Sequence, residues 1–360
     1  MKLNRKSFLE ALTAAASVIN KKSPQPILAD VMARVVDGGL EIVGTDLRTT
    51  VATVIGCEDP EAFCAPADDL RAMVAALGGE DVAVKAKDGK LLVSSGGAKF
   101  TLSTDNPRDF PEVASFNASS SEEVDASAIA YLLAGVTFAA SLDGTRLNIA
   151  NVRLACAGGV LESSAVDGHR LAVMRLPGSV DGIKEALLSV EASKAIQSLI
   201  DGSDKCKLAV DGDVIHVRCG GSTVSAKLVE AKSPPFEQFV APSTWSKSPM
   251  IFDRETMAAA IRRSLAIRGT AKSGDQDGTL TMTLGKLRIS REESEKSVEE
   301  SITVDCNHSS VVTCNLTYLA EALAHINGED LEWHNEGELD PIKIRSKDGM
   351  QIQIVMPKRL

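Results

Sequence analysis

The sequence holds 360 residues, 44% hydrophobic and 24% charged, with 39 basic against 49 acidic residues and a net charge of −10. That length exceeds what one hydrophobic core supports, so several domains are expected. No apolar run approaches the roughly 18 residues of a membrane span, and charged residues follow too soon after Met1 for a signal peptide, so a cytoplasmic protein is expected.

The first predicted helix carries Phe8, Leu12, Ala15 and Ile19 on one face. Alternating strands such as Leu40–Val43 follow, then a second helix over 68–77 and a strand series including Asp88-Gly89-Lys90-Leu91-Leu92-Val93. The order then recurs. Ile129, Leu133, Val136 and Ala140 predict a helix to residue 140, and a second is expected over 191–200 before Asp211-Gly212-Asp213-Val214-Ile215. A third copy opens with Asp253 as N-cap before Met257, Ile261 and Leu265, has its second helix over 316–326, and closes on Pro341-Ile342-Lys343-Ile344. Proline-containing segments near 106–112 and 233–242 separate the copies. A repeat of about 120 residues therefore predicts three α+β domains at 1–118, 119–242 and 243–360, each with two helices on antiparallel sheets.

Chemistry-bearing patterns are sparse. The seven cysteines are odd in number, form no C-x-x-C pair and stand apart from the five histidines, which predicts reduced thiols and no metal or cofactor. A hydrolase using Asp167 and His169 with Ser163 or Ser164 is the rival reading, since residues two apart on a strand share a face. It lacks a G-x-S-x-G elbow, a Gly-rich phosphate loop and H-E-x-x-H. Positive charge is expected on the helices, which take Arg5, Lys6, Arg71, Lys194, Arg254, Arg262, Arg263 and Arg268, with Lys21-Lys22 in the loop after the first. The acids gather in strand-rich stretches such as Glu292-Glu293 and Glu299-Glu300. Helices lining a channel would then attract phosphates without reading bases.

Four short stretches, in order along this repeat, carry a resemblance. Pro26-Ile27-Leu28, Gly44-Thr45-Asp46-Leu47, Val166-Asp167-Gly168-His169-Arg170-Leu171-Ala172-Val173 and Val355-Met356-Pro357-Lys358-Arg359-Leu360 resemble the bacterial sliding clamps, the beta subunits of DNA polymerase III, over essentially the full length. The resemblance implies a non-catalytic, cytoplasmic DNA clamp whose two three-domain subunits close head to tail into a ring around duplex DNA. Its partners would be the polymerase III alpha subunit, the clamp loader, translesion polymerases and mismatch-repair proteins, each bound through a short linear motif.

Carried over residue by residue, the family's peptide pocket would comprise Ile149, Val166, Gly168, His169, Arg170, Leu171, Pro235, Val240, Leu339, Pro341, Ile354, Met356, Pro357, Lys358, Arg359 and Leu360. Val166 stands where a hydroxyl is common and Lys358 where an apolar side chain is, so peptide preference should differ. DNA contact would fall on Lys21, Lys22, Arg71, Arg146, Leu147, Asn148 and Lys194, with Arg146 foremost because Asp143 makes its loop acidic and Leu147 and Asn148 replace aromatic types. The ring contact would set Phe100 against Ala266 and Ile267 of a second copy. That acidic loop also fits a divergent clamp copy of the mobile-element type, which binds partners and loads poorly.

Overall fold

The computed structural model describes residues 1–20, 23–114, 116, 121–180, 183–267, 276–293 and 295–358. Packing gathers the chain into two compact units: 1–130 with 180–182 and 191–228, and 131–179 with 183–190 and 229–360.

Each unit is built on two antiparallel sheets. In the first, an eight-stranded sheet runs Phe63–Pro66, Asp30–Val36, Gly39–Thr45, Thr49–Ile55, Ser222–Lys227, Val214–Cys219, Lys205–Asp211 and Glu122–Asp125. Its central join pairs Thr50 with Ser225, so strands from successive copies of the repeat share one ladder. A four-stranded sheet runs Lys2–Asn4, Asp81–Lys87, Lys90–Ser95 and Ala98–Ser103. The second unit repeats the plan. Its eight strands run Glu185–Leu188, Val152–Ala157, Val160–Val166, Arg170–Pro177, Gln351–Val355, Ile342–Ser346, Asp330–His334 and Met250–Asp253. Its four run Lys296–Thr303, Lys286–Glu293, Asp277–Thr283 and Ser310–Asn315.

The helices form where the apolar spacing places them. Asn4 caps Arg5–Ala16 by accepting from the Ser7 N–H at 3.1 Å, and Phe8, Ala11, Leu12 and Ala15 are buried beneath it. Gly44 is required here: a Cβ would lie 2.2 Å from the Ala15 carbonyl oxygen, so only glycine lets the strand run against the helix end. Asp253 caps Arg254–Ser264 as expected, its carboxylate accepting from Thr256 N–H at 2.7 Å and held below the usual range by those Thr256 hydrogen bonds. Two helices are shorter than their periodicity predicts: the first ends at Ala16, which leaves Ile19 beyond it. Ala126–Ala134 stops at Gly135, and Val136 and Ala140 flank a 3₁₀ turn, Thr137–Ala139, instead of a last helical turn. Gly135 is a weak helix former, and its backbone meets the Met174 side chain so closely that a Cβ would sit 2.5 Å from it.

Asp30 opens its strand 4% exposed, with the Cys64 thiol donating to Oδ2 at 3.4 Å. Burial pushes its carboxyl up to about 6, against an unfolded value near 3.9. The folded state therefore favours the protonated acid, and stability falls as pH rises from about 4 to about 6, then levels off. Asp30→Asn should stabilise the protein by on the order of 1–3 kcal/mol at pH 8 and change little at pH 4. Urea unfolding at both pH values tests this, and equal effects at the two would contradict it.

Candidate peptide pocket and nucleic-acid face

The pocket in the second unit follows from one pairing. Strands Arg170–Pro177 and Gln351–Val355 run antiparallel with Leu171 opposite Ile354, and Val160–Val166 pairs on the other side with Val166 opposite Leu171. This brings Val166, Leu171 and Ile354 together from three strands. Leu171, Val173, Phe236, Val240, Ile352 and Ile354 make a buried apolar cluster, with Val166, Phe239 and Trp245 packed against it. A small recess beside it is lined by Ile149, Val166, Leu171, Ser233 and Phe236.

The turn before Leu171 is held by its own side chains. The Asp167 carboxylate accepts from the backbone N–H groups of His169 at 2.8 Å and Arg170 at 3.0 Å, and from Arg170 Nε at 2.9 Å. Gly168 sits at φ +96°, a conformation that β-carbon sterics deny most residues. Arg170 then anchors the turn to the surrounding fold. It donates to the Phe138 carbonyl at 2.8 Å, pairs with Glu321, and lies over the Phe138 and Tyr318 rings at 5.2 and 4.7 Å. The exposed His169 ring stacks on Tyr318 with centroids 5.9 Å apart.

The chain end returns to this turn, the Met356 N–H donating to the His169 carbonyl and the Lys358 N–H to the Thr313 carbonyl, both at 2.8 Å. Lys358 also pairs with Asp277. Met356 is 38% exposed and Leu339 60%, so both present apolar surface to solvent. Pro235 is exposed, and Pro341 and Pro357 are half-buried. A wider cleft, about 700 Å³, is lined by Trp245, His308, His334, Pro341 and Lys343. Arg359 and Leu360 lie outside the described residues.

Sequence reading misses Tyr318 and Phe236. Tyr318 lies one turn into the helix Leu316–Ala324, where it reads as a helix-face residue. Phe236 follows Pro234-Pro235 and reads as part of the segment between copies, yet it is 4% exposed.

The hydrolase reading is not assembled. Asp167 is engaged by its own turn and Arg170, and the fully buried Ser163 hydroxyl donates to the Leu132 carbonyl at 2.6 Å. Among the described residues no group of three metal-ligating side chains is found. No described helix is long and apolar enough to cross a membrane.

The described residues assigned to DNA (Arg71, Arg146, Leu147, Asn148 and Lys194) are all exposed. Arg71 lies on the helix Ala67–Ala76 and is paired with Asp68 at 3.7 Å, and Lys194 lies on Val190–Ile200. Arg146, Leu147 and Asn148 are exposed in a loop whose Asp143 carboxylate accepts from Thr145 N–H at 3.0 Å and Oγ1 at 2.6 Å. Lys21, Lys22 and Arg268 lie outside the described residues. The expectation that the helices are positive needs correcting. Seven basic residues on the described helices (Arg5, Lys6, Arg71, Lys194, Arg254, Arg262, Arg263) meet seven acidic ones (Glu10, Asp68, Asp69, Glu191, Glu237, Glu255, Glu321). Neutral helices in a chain of net charge −10 leave the whole negative excess to strands and loops, but they supply no strong positive field of their own.

For the ring contact, Phe100 is half-buried on Ala98–Ser103, an edge strand of its sheet. Ala266 is exposed and Ile267 half-buried just beyond the helix Arg254–Ser264, with Arg291 donating to the Ile267 carbonyl.

Comparison with known proteins bears on the whole chain. Residues 1–114 match the N-terminal domain of the DNA polymerase III beta subunit and residues 123–235 its central domain. The beta sliding clamp of Pseudomonas aeruginosa is 26% identical over 99% of both chains, and that of Caulobacter vibrioides 25% over the same share. The structure of the DNA polymerase III beta subunit from Thermotoga maritima superposes with a TM-score of 0.90 at 25% identity, covering 100% of this chain and 99% of that one. A sliding clamp from Pseudomonas aeruginosa bound to griselimycin gives 0.91 at 24% identity, covering 100% and 99%. The chain belongs to the DNA polymerase III beta subunit, or beta sliding clamp, family.

Proposed function

We infer that the chain is a DNA sliding clamp, a non-catalytic processivity factor that tethers DNA-processing proteins to duplex DNA. The full-length likeness to beta clamps carries this reading. Within it, we assign partner binding to the apolar cluster around Leu171, Phe236, Val240 and Ile354. A Leu or Phe of a linear motif would pack against that cluster while His169, Arg170 and Tyr318 orient the peptide backbone. The polymerase alpha subunit, clamp loader, translesion polymerases and mismatch-repair proteins are the partners proposed.

Three domains divided near 118 and 242, two copies closed head to tail, and Phe100 of one protomer against Ala266 and Ile267 of its partner complete the proposal. Two features support the contact: the strands Ala98–Ser103 and Lys296–Thr303 are edges of their sheets, and they carry Lys99 and Glu299 as opposite charges. Sedimentation equilibrium tests it. The ring requires twice the 38.0 kDa of one chain, and a monomer at micromolar concentration would refute it.

DNA binding is assigned to Lys21, Lys22, Arg71, Arg146, Leu147, Asn148 and Lys194. With neutral helices, the five cations among them (Lys21, Lys22, Arg71, Arg146 and Lys194) carry the electrostatic attraction. Arg146→Ala should weaken binding equally across DNA sequences and flatten the log–log salt dependence by about 0.9 for each phosphate that Arg146 neutralises. An unchanged salt slope in a filter-binding titration would remove Arg146 from the DNA face.

A further inference from the structure

Among the seven free cysteines, Cys206 and Cys219 lie on two strands that pair with each other. The strands Lys205–Asp211 and Val214–Cys219 are antiparallel with Lys207 opposite Arg218, and one further step along that register sets Cys206 opposite Cys219. They are joined by the two-residue turn Gly212-Asp213, with Gly212 at φ +58°. The pair closing such a turn, Asp211 with Val214, is of the hydrogen-bonded kind. Strict alternation then makes Lys207–Arg218 hydrogen-bonded and Cys206–Cys219 non-hydrogen-bonded.

Opposed residues of that kind have Cα atoms about 4.5 Å apart, within the range of about 4.4–6.8 Å that a disulfide spans. Their side chains also leave the same face of the sheet. The Cys219 thiol donates to the Lys205 carbonyl at 3.4 Å, which sets its sulfur beside the residue preceding Cys206. Other ladder cysteines have different partners: Cys64 faces Met32, Cys156 faces Leu161 and Cys314 faces Gly278.

We propose that Cys206 and Cys219 are a dithiol that a peroxide converts into an intrachain disulfide. Cys219 is half-buried and Cys206 only 2% exposed, so Cys219 reacts first. Its thiolate attacks one peroxide oxygen; the S–O bond forms, the O–O bond breaks and hydroxide leaves, giving a sulfenic acid. The Cys206 thiolate then attacks that sulfur; the S–S bond forms, the S–O bond breaks and a second hydroxide leaves. Each hydroxide takes up the proton of one thiol, so two thiols and one hydrogen peroxide give one disulfide and two waters. Burial pushes the Cys206 thiol up to about 11, which makes the second step slow near neutrality and faster with rising pH.

The test uses the native full-length protein. After hydrogen peroxide, remaining thiols are alkylated and unreduced proteolytic peptides are weighed. A peptide joining Cys206 to Cys219, two hydrogens lighter than its reduced parts, reversed by dithiothreitol and absent from Cys219→Ser, supports the proposal. Cys206→Ser should halt Cys219 as a sulfenic acid trapped by dimedone. Because Cys206 is buried and its variant could misfold, Cys219→Ser at the more accessible position keeps the test decisive. Wild-type protein that accumulates Cys219 sulfenic or higher acids while Cys206 remains alkylatable, or that links only between chains, overturns it.

Discussion

A chain ending at Val355 will bind a Gln- and Leu-containing partner peptide at least about 100-fold more weakly than the full chain, and it will fold as before. A few central residues of a small interface carry about 3 kcal/mol, which is that factor. The truncation spares the strand Gln351–Val355, whose Ile352 and Ile354 hold the apolar cluster. It removes Met356, whose N–H joins the His169 carbonyl, and Lys358, whose N–H joins the Thr313 carbonyl. The pocket would then keep its floor without one of its walls. Fluorescence anisotropy with a labelled peptide, run beside a thermal melt, makes the measurement. Unchanged affinity would mean that the wall lies elsewhere.

Arg170→Ala should lower stability by about 3 kcal/mol, the larger of the effects expected on folding. The side chain is 12% exposed and pairs with Asp167, which is 14% exposed, and with Glu321. Truncation strands the Asp167 carboxylate against its turn, leaves the Phe138 carbonyl without its donor and strips a cation from two aromatic faces. Arg170→Lys keeps the charge but not the planar fork that reaches Asp167, Glu321 and Phe138 together, so it should recover less than half of the loss. Urea unfolding of the two variants decides this. A loss below about 1 kcal/mol for alanine would mean that the network behaves like a surface ion pair.

Much of the architecture is legible in the sequence because period and punctuation agree. Phe8, Leu12 and Ala15 recur at helical spacing after the cap residue Asn4, and Asp253 marks its helix start by the same chemistry. The arrangement of the candidate pocket is legible in part, since the Asp167-Gly168 turn and the Met356–Lys358 segment each adjoin a strand and those strands pair. Tyr318 and Phe236 escape for different reasons. Tyr318 meets His169 only through a tertiary contact, and Phe236 sits in a proline-marked stretch whose neighbouring residues are exposed or half-buried, and is buried by packing in the cluster of Val240 and Ile354. The helix expected to residue 140 stops short because apolar spacing carries no trace of Met174 packing against Gly135. Helix charge is misread when cations are counted without the acids on the same helix: Arg71 stands with Asp68 and Asp69, and Lys194 with Glu191.

The central claim is topological: two copies enclose a duplex and hold it without gripping any base. The direct measurement is retention of the protein on nicked circular DNA after assembly by a clamp loader, followed in high salt by linearising the circle with a restriction enzyme. Retention on the circle and rapid release from the linear ends is the outcome this account requires. Equal release from circle and line, or protein that stays on linear DNA with unblocked ends, would contradict it.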